Sequence, residues 1–119
     1  MRGKILSGLG QAQYFLTREG YSRQFKAELG FVPFPGTLNV LLEEPFPTEG
    51  QDIEIKGFTE EGRTFGKCRC YRIQLNGFQA AVVRPEKSRY PPELIEVIAP
   101  LKLRALGLKD GDVVDIVLL

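Results

Sequence analysis

The sequence predicts a mainly β protein whose strands close into a barrel. Several strand-like segments follow one another with tight-turn signals between them, whereas only one or two short stretches have the apolar spacing of a helix. An open sheet of so many short strands would leave unpaired edges, and closure into a barrel removes them. The 119 residues suffice for one core, so we expect a single domain over 1–119.

Composition and charge exclude several classes of function. The chain has 16 Lys and Arg against 15 Asp and Glu, a formal net charge of +1, and no basic stripe interleaved with aromatic residues, so we expect no nucleic-acid partner. No apolar run approaches the roughly 20 residues of a membrane span, and the N-terminus lacks a signal-peptide pattern. We therefore expect a cytoplasmic monomer without a membrane partner. The absence of histidine excludes a histidine-based catalytic triad.

A glycine-containing loop follows the first predicted strand, residues 3–6. Gly8 and Gly10 let the backbone approach a ligand, and free amides in such a loop can bind phosphate oxygens. The third glycine of a dinucleotide fingerprint and the GK[ST] of a phosphate-binding loop are both missing. A hairpin or bulge without a ligand therefore remains the alternative.

Residues 20–29 have the clearest helical pattern in the chain. Tyr21, Phe25 and Leu29 recur every four residues and form one apolar stripe. Ser22 is a candidate N-cap, and Gly30 is a C-terminal stop. We expect this helix to pack on a sheet.

The stretch 30–42 changes from a proline-rich turn into a strand. Successive side chains of a strand face opposite ways, so Thr37 and Asn39 share one face while Leu38 and Val40 share the other. A hydroxyl and an amide held on one rigid face suit a hard cation or a polar ligand. The alternative is that both simply form the solvent face of an edge strand.

The middle of the chain is predicted to contain three strands, at 53–58, 64–75 and 78–83. Two tight turns, at Glu61-Gly62 and Asn76-Gly77, separate them. Asn-Gly between such runs is a strong hairpin signal.

The C-terminal third begins with a charged, proline-bearing loop at 84–92, and such loops often carry function. The apolar residues of 93–100 are too continuous to distinguish a helix from a strand. Residues 101–106 predict one or two helical turns closed by Gly107, and 113–119 predicts a final strand.

The two cysteines, Cys68 and Cys70, lie one residue apart in a predicted strand and share a face, where unstrained disulfide geometry is out of reach. Without histidine, a zinc site would need carboxylate ligands. We interpret both cysteines as small apolar side chains.

Several motifs, in order, give the chain a resemblance to the archaeal CTP-dependent riboflavin kinase family. They are Ser7-Gly8-Leu9-Gly10, Tyr14-Phe15-Leu16, Leu29-Gly30-Phe31, Pro35-Gly36-Thr37-Leu38-Asn39, Ile95-Glu96-Val97-Ile98-Ala99-Pro100, Lys102-Leu103-Arg104 and Leu108-Lys109-Asp110-Gly111-Asp112-Val113. The similarity runs through nearly the whole chain. Some members of that family carry an extra N-terminal winged-helix domain.

The resemblance implies a six-stranded cradle-loop barrel that transfers the γ-phosphate of CTP to the ribityl 5′-hydroxyl of riboflavin, giving FMN and CDP. It implies one Mg²⁺ per active site, held by Thr37 and Asn39, and flavin contacts from Ser88 and Glu96. Two implied nucleotide-binding segments are Leu9, Gly10, Gln11, Ala12, Gln13 and Tyr14, and Leu101, Lys102, Leu103 and Arg104.

This sequence departs from the family pattern at three of these positions. Ala12 stands where glycine is frequent, Gln13 where a basic residue is frequent, and Ser88 where threonine is common. The first two place the phosphate contacts of that loop in question, whereas the third keeps the hydroxyl.

Glu96 is the one candidate for a catalytic base. A carboxyl of reference pKa about 4.3 cannot deprotonate an alcohol beforehand, so it would orient the ribityl hydroxyl and accept its proton late. Phosphoryl transfer depends mainly on positioning and charge neutralisation, which suits this simple residue set. The competing hypotheses are a small β-barrel nucleic-acid-binding module and a flavin-binding protein without kinase activity.

Overall fold

The computed structural model describes residues 1–8, 16–48, 52–86 and 90–119. Helix α1 spans Glu19–Leu29, and a short 3-10 helix spans Leu103–Leu106. The strands are β1 (Arg2–Leu6), β2 (Leu38–Leu42), β3 (Ile53–Ile55), β4 (Phe58–Glu60), β5 (Arg63–Phe65), β6 (Cys68–Leu75), β7 (Phe78–Pro85), β8 (Leu94–Ile98) and β9 (Val113–Leu118). None of the described helices is long and apolar enough to cross a membrane.

Six antiparallel strands close into a barrel in the order β6-β7-β8-β2-β1-β9, and β9 pairs back onto β6. Strand β6 allows this closure because one of its edges pairs with two different strands. One edge pairs with β7 over its full length, while the other pairs with β3 through residues 68–70 and with β9 through residues 73–75. The closed barrel confirms the predicted fold class.

Alternating side chains of the barrel strands fill its interior. Ile5, Val40, Ile73, Val82 and Ile95 are among the fully or almost fully buried members of this core. Because successive side chains of a strand face opposite ways, the residues between them lie on the outside of the barrel.

Helix α1 covers part of this outer surface. Phe25 and Leu29 of its apolar stripe pack in a second buried cluster with Cys70, Val83 and Ile98. Cys68 also belongs to this cluster, and both cysteines are free and buried, which confirms their interpretation as small apolar side chains.

The ends of α1 match the prediction at one end only. Gly30 adopts a left-handed φ of 83° and its N–H donates to Lys26 O at 3.0 Å, as expected of a C-terminal stop. The predicted N-cap, Ser22, is wrong. The extended residue before the helix is Arg18, whose carbonyl accepts from the Ser22 N–H at 2.9 Å, so Ser22 lies within the first turn.

Two predicted strands, 53–58 and 64–75, are each interrupted in the structure. A Cβ added to Gly57 would lie 2.6 Å from Phe65 O, so the two backbones approach closely where the strands break. Strands β4 and β5 leave this point as a separate hairpin. Tyr21 of α1 holds that hairpin through ring contacts with Phe58 and Phe65, at centroid distances of 4.6 and 5.9 Å.

The remaining elements follow the sequence more closely. The undetermined segment 93–100 contains strand β8, and the helical turn before Gly107 is the 3-10 helix. Both predicted tight turns have left-handed residues, with φ of 52° and 75° at Glu61 and Gly62 and of 48° and 83° at Asn76 and Gly77. These values are typical of two-residue hairpin turns.

The Asn76-Gly77 turn gives a matched test of backbone strain. A Cβ on Gly77 or on Gly66 would meet nothing within 4 Å, but only Gly77 has a left-handed φ, of 83°. We expect Gly77→Ala to lower the free energy of unfolding by about 1–2 kcal/mol. Gly66→Ala should be neutral or stabilising by up to about 1 kcal/mol. Urea unfolding of both variants measures the difference, and equal values would contradict the strain argument.

Candidate active site

The candidate site is built on the outer face of two neighbouring strands. The register places Asn39 of β2 opposite Glu96 of β8 and, on its other side, opposite Leu6 of β1. The flanking Val40 and Ile95 belong to the barrel core, so Asn39 and Glu96 lie side by side on the outside. Neither residue could be assigned this neighbour from sequence, because the register between β2 and β8 was unknown.

Strand β2 has partners along both edges, which overturns the interpretation of Thr37 and Asn39 as the solvent face of an edge strand. Asn39 is only 7% exposed and is the one buried polar or charged residue in the described part of the chain. Burying an amide costs about 1–3 kcal/mol unless it is hydrogen-bonded. The buried amide of Asn39 therefore needs a hydrogen-bonding partner.

Thr37 and Asn39 share a face, as predicted. The Thr37 hydroxyl donates to Asn39 Oδ1 across 3.3 Å. A Cβ on Gly8 would lie 3.7 Å from Asn39 Nδ2 and 3.9 Å from Thr37 O, so the chain leaving β1 passes directly over this pair.

This oxygen pair fits a small divalent cation. Two adjacent ligands of an octahedral Mg²⁺ lie about 2.9 Å apart, since each bond is about 2.0–2.1 Å long, and the observed 3.3 Å requires little adjustment. Over the described ranges, no group of three or more Cys, Asp or Glu residues could hold a metal instead. A cation here would rely on neutral oxygens, water and oxygens of a bound phosphate.

Glu96 is half-buried, and burial raises the pKa of its carboxyl above the ordinary value. The positive charge of Arg84 opposes that shift and lowers the pKa. Arg84 also donates to Pro92 O at 2.7 Å, which fixes it across the loop between β7 and β8.

The balance at Glu96 can be measured in the metal-free protein. We expect an NMR titration to give Glu96 a pKa above that of exposed glutamates, because burial disfavours the charged form. Arg84→Gln should raise the pKa further. Arg69→Gln is the matched control, since Arg69 lies opposite Arg84 on β6 but pairs with Asp52 at 3.4 Å. A lower pKa in Arg84→Gln would refute this assignment.

A small cavity, of about 100 Å³, joins Thr37 to one implied nucleotide-binding segment. Its wall includes Leu101, Lys102, Leu103 and Arg104 together with the turn at 34–36. The Phe34 N–H donates to Ala99 O at 2.7 Å and so ties this turn to the end of β8. A larger cavity, of about 540 Å³, is lined by Tyr71, Arg84 and other polar residues, but by none of the predicted site residues. The larger cavity volume therefore does not coincide with the predicted site residues.

Other predicted site residues lie outside the described residues. They are Leu9, Gly10, Gln11, Ala12, Gln13, Tyr14 and Ser88. The residues flanking them are described: Ser7 and Gly8 lie beside Asp110 and Asn39 respectively, and Glu86 follows the end of β7.

Two residues near the site were not predicted as site residues. Asp110 pairs with Arg104 at 2.6 Å, and Arg84 acts on Glu96. Asp110 stood in a resemblance motif without a role, and Arg84 stood in a charged loop. The sequence alone could not show that Asp110 meets Arg104 or that Arg84 lies near Glu96, because both contacts form only in the folded protein.

Comparison with known proteins agrees with the sequence motifs. A model of the family called CTP-dep_RFKase, described as a domain of unknown function, DUF120, matches residues 5–118. The chain is 54% identical over 120 residues to a protein named riboflavin kinase from Methanocella arvoryzae, covering 99% of this chain and 56% of that protein.

Two further relatives carry the same name. The Archaeoglobus fulgidus protein is 44% identical, over 98% of this chain and 53% of its own length. The Ignicoccus hospitalis protein is 48% identical, over 98% of this chain and 69% of its own length. The chain thus spans little more than half of the first two relatives. The matched span and these identities show that the chain belongs to the CTP-dep_RFKase family, as its motifs indicate.

Proposed function

We propose that this chain is a CTP-dependent riboflavin kinase domain, spanning 1–119, that converts riboflavin and CTP to FMN and CDP. The observation that carries the proposal is the position of Thr37. Its hydroxyl contacts Asn39, which lies opposite Glu96, and Thr37 also lines the cavity that contains the segment 101–104. A cation-binding pair, a carboxylate and a nucleotide-binding wall are the groups that phosphoryl transfer between these substrates needs. The names of the relatives support riboflavin as substrate, and the family name supports CTP.

Thr37 and Asn39 would hold one Mg²⁺. When bound, that ion supplies neutralisation of charge on the phosphate oxygens. The pair itself is fixed by the hydrogen bond between the two side chains and by the burial of Asn39, so little reorganisation accompanies binding. Such fixed placement is the main contribution a protein makes to phosphoryl transfer.

Glu96 would hold the ribityl hydroxyl of riboflavin and receive its proton. The bond between the γ-phosphorus and the bridging oxygen of CDP breaks as the hydroxyl oxygen bonds to that phosphorus. The proton moves to a Glu96 oxygen late in this step. The raised pKa of Glu96 makes its carboxylate a better proton acceptor than an exposed one. Ser88 would add a flavin contact.

We also propose a cytoplasmic, monomeric protein. The free thiols of Cys68 and Cys70 suit a reducing compartment. The substrates riboflavin and CTP are small molecules, and the site is assembled within one chain.

Nucleotide choice tests the proposal. We expect CTP to support FMN formation much better than ATP when the two nucleotides are compared at the same concentration with riboflavin and Mg²⁺. The implied nucleotide segments belong to the family's CTP site, and the chain has no Walker lysine motif. Separation of FMN from riboflavin by liquid chromatography gives both rates. Equal rates with the two nucleotides would contradict CTP dependence. Riboflavin binding without formation of FMN would indicate a flavin-binding protein without kinase activity.

A further inference from the structure

A carboxylate on the turn before β9 joins two segments that are distant in sequence. Asp110 Oδ2 accepts from the Ser7 hydroxyl at 2.5 Å, although the two residues are 103 positions apart. Asp110 Oδ1 lies 2.6 Å from Arg104 Nη2, and the same nitrogen donates to Leu6 O at 3.2 Å. One side chain thus connects the end of β1 to the 3-10 helix.

The turn that carries Asp110 is itself fixed to β1. The Gly111 N–H donates to Ile5 O at 2.7 Å, and the Ile5 N–H donates to Asp112 O at 2.9 Å. Asp112 Oδ2 closes the turn by accepting from the Lys109 N–H at 2.8 Å. The hydroxyl of Ser7 and then the guanidinium of Arg104 lower the pKa of Asp110, so its carboxylate is ionised at neutral pH.

Both connected segments lead into the candidate site. Ser7 and Gly8 directly precede the implied nucleotide-binding segment that begins at Leu9, and Gly8 lies against Asn39. Arg104 lines the cavity that also contains Thr37. We propose that Asp110 is a positioning residue for the nucleotide, holding Arg104 and Ser7 at a fixed separation. This inference rests on the proposed function.

The exposure of the pair argues against a role in stability alone. The side chains of Arg104 and Asp110 are 35% and 50% exposed. Ion pairs this accessible contribute little to folding, because solvent screens them. Misplacement of a nucleotide-binding group can cost far more in function, because affinity for the nucleotide depends on groups held in place before binding.

The test compares Asp110→Asn with Asp115→Asn. Asp115 is a matched control because it is also an exposed acid near an arginine, Arg2, at 3.7 Å, but lies on β9 away from the cavity. For Asp110→Asn we expect the KM for CTP and the Kd for CDP, measured by calorimetry, to rise about 10-fold. The kcat, the KM for riboflavin and the Tm should stay close to those of the control. Ser7→Ala should show a smaller change in the same direction.

Unchanged CDP affinity in Asp110→Asn would overturn the inference. An equal loss in both KM values together with a lowered Tm would also overturn it, by assigning Asp110 to general stability. The proposed function fails separately. If wild-type protein binds CDP but forms no FMN, kinase activity is refuted, and weaker CDP binding by Asp110→Asn would still support positioning. Wild-type protein without CDP affinity would refute both.

Discussion

Asn39→Ala is expected to lower the rate of FMN formation by about 10³-fold or more. The substitution removes an amide oxygen that would ligate Mg²⁺, and a phosphoryl-transfer site that loses its cation loses its main charge neutralisation. Leu38 and Val40 remain packed in the barrel core. The free energy of unfolding should therefore fall by only about 1 kcal/mol, the contribution of one hydrogen bond. The measurement is kcat/KM at saturating Mg²⁺ with the Tm recorded alongside.

Thr37→Val tests the second oxygen with almost no change of shape. We expect a similar loss of activity, because valine replaces the hydroxyl by a methyl group. The Asn39 side chain stays in place but loses its hydrogen bond from Thr37. Thr64→Val on the small β4–β5 hairpin is the matched control, since Thr64 is exposed and pairs with Thr59 in a separate two-stranded sheet. Normal turnover by both site variants would reduce Thr37 and Asn39 to a structural polar pair.

Glu96→Gln is expected to lower kcat by roughly 10² to 10⁴, the usual share of general-base catalysis. Glutamine keeps the size of the side chain and can still hydrogen-bond the ribityl hydroxyl, but it cannot accept the proton. Riboflavin binding should therefore weaken only modestly. Single-turnover rates and flavin fluorescence titration separate these two effects.

The stability of Glu96→Gln gives an independent check with a definite sign. Burial raises the pKa of Glu96 in the folded protein above its value in the unfolded chain. The protonated carboxyl therefore stabilises the fold fully at a pH below the unfolded pKa, and this stabilisation is lost as the pH rises through the raised, folded pKa. The glutamine variant should thus be at least as stable as wild type at pH 7, with any advantage vanishing in acid. A variant that fails to fold would assign Glu96 to a structural role, and wild-type turnover would remove it from the mechanism.

Local chemistry determined the features that sequence predicted well. Asn76-Gly77 and Glu61-Gly62 form turns because those residue types tolerate left-handed backbone. Gly30 ends α1 for the same reason. The sharing of one face by Thr37 and Asn39 needs only the alternation of a strand.

Features that depend on distant contacts were missed. The strands predicted at 53–58 and 64–75 break where Gly57 meets the backbone of Phe65, a contact invisible to local patterns. The segment around β8 was ambiguous because its side chains are buried on both sides: Ile95 and Val97 lie in the barrel and Ile98 lies under α1. No spacing rule could pair Asp110 with Ser7.

The resemblance supplied what local patterns could not, namely a role for Glu96 and for the segment 101–104. The structure adds the arrangement: Glu96 lies opposite Asn39, and the segment shares a cavity with Thr37. Only the structure shows that Arg84 lies close enough to Glu96 to lower the pKa of its carboxyl.

We propose that this chain moves the γ-phosphate of CTP to riboflavin at the Thr37, Asn39 and Glu96 site. The most direct measurement follows the label of [γ-³²P]CTP into FMN with wild-type protein and with Asn39→Ala side by side. We expect wild type to form labelled FMN and an equal amount of unlabelled CDP, and the variant to transfer about 10³-fold less label. Unlabelled flavin after incubation with wild type, or equal labelling by both proteins, would contradict it.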